Sequence, residues 1–308
     1  MMSSLDLPVI DLSSTDHLAV ARAIRHACEE VGFFYVVNHG VEQQLIGRTF
    51  EESKKFFALP EEEKMKLLRK EFRGYSPLYA ENLDPSSVAG GDLKESFYIG
   101  PLEECDGSTL LNQWPSDAIL PSWRETMESY YKAVESTGLK LLRLIAASLD
   151  LDEHFFEKSG GPNPFLRLLH YPGDIISSDK EIYGASAHSD YGMITLLATN
   201  AVPGLQVCRD KTKQPRTWED VPHVDGAFIV NIGDMMERWT NCLFRSTLHR
   251  VTQSGQDRFS IPFFMDPNRD CIVECLPSCC SKLSPPRFPP INMRDYLREK
   301  FLLSYGTY

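Results

Sequence analysis

The sequence predicts an α+β chain: a double-sheet jelly roll or barrel, preceded by a mainly helical region and closed by a helix. Three observations predict it. Over residues 165–265 short apolar stretches recur at near-regular spacing with Gly and Pro between them, the pattern of strands and turns. Before that, apolar residues fall at helical spacing, most clearly in the stripe Trp123, Met127, Tyr130, Val134, Leu141, Ile145 and Leu149. After it, "NMRDYLREKFLL" reads as a last helix. No internal repeat divides the chain, so one domain over residues 1–308 is expected. Its parts are a mainly helical region (1–164), the strand-rich core (165–265) and a C-terminal segment with a helix (266–308).

Taken in order, "LPVIDL" (residues 7–12) alternates as a short strand. "HLAVARAIRHACEEVG" follows as a helix with Leu18, Ala21, Ile24 and Cys28 on one side, stopped by Gly32. "FFYVVNHG" (33–40) is aromatic and β-branched and ends in a turn signal, so it is a buried strand. Ile46, Phe50, Ser53 and Phe57 space out a helix over about residues 43–58, and Pro60 opens another with an acidic first turn. Residues 70–121 read as irregular, because Gly, Pro and Asp sit in turn-making positions; so long a segment without elements is usually functional or disordered. The long helix covers residues 122–149. The core strands are then "FLRLLHYP", "AHSDYGMITLLAT", "GLQVCR", "TWEDVPH", "AFIVNIGD", "STLHRVT" and "RFSIPFF".

Bulk properties narrow the function. A net charge of −11 argues against a nucleic-acid or anionic-membrane partner, since either favours a basic face. No apolar run reaches the roughly 18–20 residues of a membrane span. "MMSSLDLPVIDLSSTDH" carries acids where a secretory signal has bases and an apolar core. A cytoplasmic monomer with reduced thiols is expected, its partner a small molecule. Four of the eight cysteines cluster in "CIVECLPSCC" (Cys271, Cys275, Cys279, Cys280), without the pair spacing of structural zinc sites; they read as ordinary strand and loop cysteines.

The stretch "GASAHSDYGMITLLAT" carries the chemistry. His188 and Asp190 are two apart, so a strand puts both on one face. His249 lies in the later strand "STLHRV", and Arg258 and Ser260, again two apart, in "RFSIPFF". Two His and one carboxylate with open positions describe the facial triad of non-haem Fe(II) oxygenases. The metal alone gives Arg258 no purpose. A dicarboxylic cosubstrate does, because its buried far carboxylate needs a cationic, bidentate partner, to which Ser260 adds a hydroxyl. A buried arginine without an acid is costly, so it implies a ligand. H-x-D by itself is a weak signal; its conjunction with the two later motifs is much rarer.

Over nearly its whole length the chain resembles the 2-oxoglutarate- and Fe(II)-dependent dioxygenase superfamily, in its plant-type, isopenicillin-N-synthase-like branch. The likeness lies in "LPVIDL", "GFFYVVNHG", "ALPEEEKMK", "RGY", "HSDYGMITLL", "GLQV", "VNIGDMMERWTN", "STLHRV" and "RFSIPFF". It implies a double-stranded β-helix (jelly-roll) core, Fe(II) on His188, Asp190 and His249, and 2-oxoglutarate and dioxygen as cosubstrates. It further implies that Arg258 and Ser260 bind the distal carboxylate of 2-oxoglutarate and that Tyr171, in "HYPG", hydrogen-bonds the same molecule. The reaction implied is hydroxylation or oxidative demethylation of a small-molecule metabolite, with release of succinate and carbon dioxide.

One departure is visible. The flavonoid and hormone enzymes of the branch read Asn-Tyr-Tyr-Pro where this chain has Leu169, His170, Tyr171 and Pro172. "RLLHYPG" and "HSDYGMITLL" are more similar to a subgroup that includes plant amino-acid (homoarginine) hydroxylases, which implies a basic amino acid as substrate. Tyr75, Phe97 and Tyr98 from the irregular segment, with Phe264 and Asp266, are the expected substrate wall. Asp266 would meet a basic group; the plainer reading is that Asp-Pro begins a solvated turn. His39, Asn231 and Asp234 read as turn and strand-end fixtures, and Trp239 and Asn241 as support for the barrel wall. Two other functions fit the same fold: a non-catalytic 2-oxoglutarate/metal sensor and a 2-oxoglutarate-independent oxidase.

Overall fold

The computed structural model describes residues 5–84, 91–102, 111–159, 161–174 and 182–306. The chain begins β1 (Val9–Asp11), α1 (His17–Glu30), β2 (Phe33–Val37), α2 (Gln43–Phe57) and α3 (Glu61–Met65). Asp16 starts α1, its carboxylate accepting the Ala19 N–H at 2.9 Å. Next come β3 (Gly74–Ser76), β4 (Glu95–Ile99), the long α4 (Trp123–Ser148) and the single turn α5 (Phe155–Lys158). The core strands are β5 (Pro162–Tyr171), β6 (Ala185–His188), β7 (Ile194–Thr199), β8 (Leu205–Cys208), β9 (Glu219–Asp220) and β10 (Phe228–Ile232). After α6 (Asp234–Trp239) come β11 (Leu248–Val251) and β12 (Arg258–Pro267), and the chain closes on α7 (Met293–Tyr305).

Twelve of the strands make two sheets. The larger runs β1-β2-β10-β7-β12-β5-β4-β3 and the smaller β6-β11-β8-β9. The sheets face each other as in a jelly roll, and the helices cover the outer face of the larger one. The period of two along β12 divides these environments. Phe259, Ile261, Phe263 and Met265 join the helix-side core: Phe263 meets Tyr131 of α4 at 4.9 Å between centroids, and Met265 fills the space over Gly138. Arg258, Ser260, Pro262, Phe264 and Asp266 point the other way, between the sheets. There a second apolar cluster gathers Phe33, Tyr35, Leu169, Tyr171, Leu205, Val207, Ile229 and Val251. Among the described residues no helix is long and apolar enough to cross a membrane.

The structure corrects the irregular reading of residues 70–121. β3 and β4 lie inside it and extend the larger sheet beyond β5. The turn-forming residues around them hid two short strands whose stability comes from partners far along the chain. Residues 85–90 and 103–110, also within that reading, lie outside the described residues. The larger sheet therefore draws β1 to β4 from the N-terminal region.

Candidate metal centre

β6 and β11 are antiparallel neighbours, and their register sets His249 opposite His188. β6 ends at His188, so Asp190 lies two residues on, in the connection to β7 rather than on the strand where the sequence pattern put it. His188, Asp190 and His249 each bring one ligand atom within 4.8 Å of the others, the only such group among the described residues. Both imidazoles are aimed from behind. His188 Nδ1 lies 2.7 Å from the Ser186 carbonyl and His249 Nδ1 3.2 Å from the Thr247 carbonyl, each of which accepts the Nδ1–H. The two Nε2 atoms are thereby free to face Asp190 Oδ1, at 3.8 and 3.6 Å. The other oxygen of Asp190 is held: Thr195 Oγ1 donates to it at 2.5 Å and Asn231 Nδ2 at 2.7 Å. Phe33 packs edge-on against the His249 ring, 5.5 Å between centroids.

The electrostatics match a cation site. Burial works against the Asp190 charge, but the two histidines and the donors Asn231 and Thr195 hold its carboxyl below the usual range. Burial, with His249 beside it, pushes His188 down to about 4, so its imidazole is neutral and available to a metal at neutral pH. Two imidazole nitrogens and one carboxylate oxygen, converging within 4.8 Å of one another, suit Fe(II) and leave its other positions open.

Arg258 lies on the inward face of the other, larger sheet, opposite Tyr171 of β5, with the guanidinium 4.9 Å from the centre of the Tyr171 ring. It is 2% exposed. Its Nε donates to the Val202 carbonyl at 3.3 Å, while the buried Nη1 has no partner. Among the described residues no acid compensates it; it also donates a hydrogen bond to the Tyr171 hydroxyl, and burial pulls its pKa below the usual value. Ser260 is buried two residues on, between Leu169 and Thr199. A cleft of about 340 Å³, lined by Thr199, Gly204, Leu205, Val221, Ile229 and Arg258, opens at this end and stops short of the three metal-centre residues. An orphaned guanidinium donor beside open space fits a carboxylate guest. Leu169, in place of the branch's Asn, is inside and apolar; His170 faces the helices, bonded to Glu95 at 2.8 Å and stacked on Phe259.

The five residues expected to form the substrate wall divide. Phe264 and Tyr98 are on the interior face: Phe264 stacks on Phe165 at 4.6 Å, and the Tyr98 hydroxyl meets that of Tyr305 at 2.7 Å. Tyr75 and Phe97 are not there. They pair across β3 and β4 on the opposite face and pack on Phe56, with Phe97 also against Trp123 of α4 at 5.1 Å. One residue of alternation decided this, and only the pairing of β4 with β5 reveals it. Asp266 is neither in a turn nor solvated. It is a β12 residue, 3% exposed, lying against the Gly192 backbone where a side chain would collide with it. Burial and the nearby Asp190 charge push its carboxyl up to about 8.

Asn231 is a further correction, for it holds Asp190 rather than ending a strand. The signal was a single Asn within the wholly buried strand "FIVNI", opposite Thr195. Sequence reasoning also missed a buried ion cluster on the interior side. Lys94 bridges Glu81 (2.9 Å) and Asp92 (2.6 Å), and Arg167 pairs with Glu81 (2.8 Å).

Residues 7–117 match the family described as "non-haem dioxygenase in morphine synthesis N-terminal", and residues 162–267 match the "2OG-Fe(II) oxygenase superfamily". Azadirone synthase LFS of Melia azedarach is 40% identical over 311 residues, covering 97% of this chain and 93% of its own. The 2-oxoglutarate-Fe(II) type oxidoreductase hxnY of Emericella nidulans is 38% identical, covering 97% and 90%. Of solved structures, a full-length Neurospora crassa protein in complex with alpha-KG and thymine aligns with a TM-score of 0.84 at 29% identity over 97% of each chain. JOX2 in complex with 2OG, Fe and JA aligns at 0.82 and 29%, covering 100% of this chain and 88% of its own. This likeness extends across both sheets and the helical layer, and the converging His-Asp-His group lies within it. The chain belongs to the 2OG-Fe(II) oxygenase superfamily, in its plant-type branch, and is a 2-oxoglutarate-dependent dioxygenase of small molecules that works with Fe(II), 2-oxoglutarate and dioxygen.

Proposed function

We propose that His188, Asp190 and His249 hold the Fe(II), that Arg258 and Ser260 take the far carboxylate of 2-oxoglutarate beside Tyr171, and that the reaction hydroxylates or oxidatively demethylates a small metabolite. The bound metal supplies activation of dioxygen, coupled to conversion of 2-oxoglutarate to succinate and carbon dioxide. The protein's part is orientation. Asn231 and Thr195 fix which Asp190 oxygen faces the metal, and the apolar lining from Leu169, Leu205 and Val207 keeps water from the cosubstrate. One observation carries this reading: a buried guanidinium without an acid and a converging His-Asp-His group both lie in the interior between the two sheets. The acidic net charge supports the absence of nucleic-acid and anionic-membrane partners, and a cytoplasmic monomer belongs to the same proposal.

For the substrate, Phe264, Tyr98 and Asp266 form the wall in this reading. The basic amino acid implied by the likeness to homoarginine hydroxylases needs a charged Asp266. Burial, the larger cause of the rise, disfavours the charged form of Asp266. A protonated Asp266 donates a hydrogen bond, which favours a neutral, oxygen-bearing substrate. The test loads the protein with Fe(II) anaerobically, admits air with 2-oxoglutarate, and measures succinate against panels of neutral oxygenated compounds and basic amino acids. Stimulation by the neutral panel is expected. Stimulation by basic amino acids alone reverses the substrate reading, and absence of succinate with bound iron removes the 2-oxoglutarate reading.

A further inference from the structure

β6 is short and lies at the edge of the smaller sheet, with β11 on one side and, among the described residues, no strand on the other. An edge strand leaves peptide groups unpaired and is free to shift. Here residues 92 and 93 stand in for the missing neighbour. Asp92 Oδ1 accepts the Ser186 N–H at 2.9 Å, and the Leu93 N–H donates to the Tyr183 carbonyl at 2.9 Å. The Ser186 carbonyl is the group that receives His188 Nδ1–H. One residue thus has its N–H fixed by Asp92 and its carbonyl engaged in orienting a metal-centre imidazole.

Asp92 is itself immobilised. It is 1% exposed, and its second oxygen pairs with Lys94, which Glu81 shares; Glu81 is gripped in turn by Arg167 of β5. Lys94 is also buried. Gly91 makes the approach possible. Its φ is +145°, and a Cβ there would run into the Tyr79 carbonyl, so the chain turns into Asp92 in a conformation open to glycine. A buried ion cluster of this kind gains little stability over apolar packing, which leaves its presence to be explained by what it holds in place.

We propose that Asp92 is a positioning residue for His188, acting through the Ser186 peptide, with Lys94 and Glu81 locking its carboxylate. The inference rests on the reading of His188 as a metal ligand. Outer supports of metal ligands typically contribute about 10- to 100-fold in metal affinity.

The test titrates the metal-free full-length protein with Mn(II) in a calorimeter, with 2-oxoglutarate present, and follows far-UV circular dichroism and the metal-free Tm of each variant. Asp92→Ala is expected to weaken Mn(II) binding by about 10- to 100-fold. Asp92→Asn keeps an oxygen for the Ser186 N–H and is expected to lose less, about 3- to 10-fold, a partial rescue. Ser186→Ala keeps the peptide and is expected to bind Mn(II) as the parent does. A lower metal-free Tm with Mn(II) affinity within about twofold of the parent overturns the proposal, as does an equal loss in Ser186→Ala. If Asp92→Ala does not fold, the Asn variant decides by the same twofold limit. Failure of the parent protein to bind Mn(II) any better than His249→Ala overturns the metal-centre reading instead, and this inference with it.

Discussion

At the metal end of the barrel interior, every functional side chain is held from behind by a protein partner. Ser186 and Thr247 carbonyls take the two Nδ1 protons, and Asn231 and Thr195 take one oxygen of Asp190. At the far end Arg258 has one backbone carbonyl, the Tyr171 hydroxyl, an unpaired Nη1 and, among the described residues, no acid. Both ends bury charge, yet only one completes it from within the chain. The difference teaches which groups serve a resident and which a visitor. Ligands that must converge on a metal gain from being locked, whereas a group that meets a cosubstrate in every turnover must remain unsatisfied between visits.

The sharpest way to break this contrast is at Arg258. Arg258→Ala is expected to raise the 2-oxoglutarate concentration for half-maximal succinate formation by about 100-fold or more, the scale of losing one buried charge-assisted pair. An unchanged value would mean that the guanidinium serves the protein itself. The metal end comes next: Asn231→Ala removes one donor to Asp190 and is expected to weaken metal binding about 10-fold by calorimetry, with the 2-oxoglutarate requirement little changed. If both constants moved together, the two ends would not be separate devices.

A smaller effect is expected from pH. Burial and His249 depress His188 from 6.5 to about 4, so between these values the unfolded chain holds a proton that the folded one refuses. The metal-free protein should therefore lose stability as pH falls through that window, and His188→Asn should flatten part of the fall. Metal-free Tm values at pH 7, 6 and 5 test this; parallel curves for parent and variant would contradict it. The smallest effect on turnover is expected at Phe97, which faces the helices. Phe97→Leu should cost about 1 kcal/mol of stability in urea unfolding and leave the substrate KM unchanged. Phe264→Leu, on the interior face, should move KM.

How much was legible varied with how local the signal was. Arg258 with Ser260 was readable because residues two apart share a strand face; His188 with Asp190 was readable from the same spacing, although β6 ends at His188 and Asp190 reaches the group from the connection beyond it. Asn231 was not, because its meaning depends on lying opposite Thr195, itself beside Asp190. β3 and β4 were hidden by turn-forming neighbours, and with them the face on which Tyr75, Phe97 and Tyr98 lie. Asp266 looked like the start of a turn because Asp-Pro is a local turn signal, while long-range pairing with β5 and burial overrode it.

The amino-acid order alone thus determined the helical and strand periods, the pairs of residues that share a face, and through them the donor set for a metal and a guanidinium for a carboxylate. Tertiary structure alone decided which face of each strand turned inward, which groups stand behind the ligands, and that Asp92 reaches the metal strand. The physical reason is one of range. Side-chain alternation is set by backbone geometry within a few residues, whereas burial and hydrogen-bond partnership are set by strands that meet from distant parts of the chain.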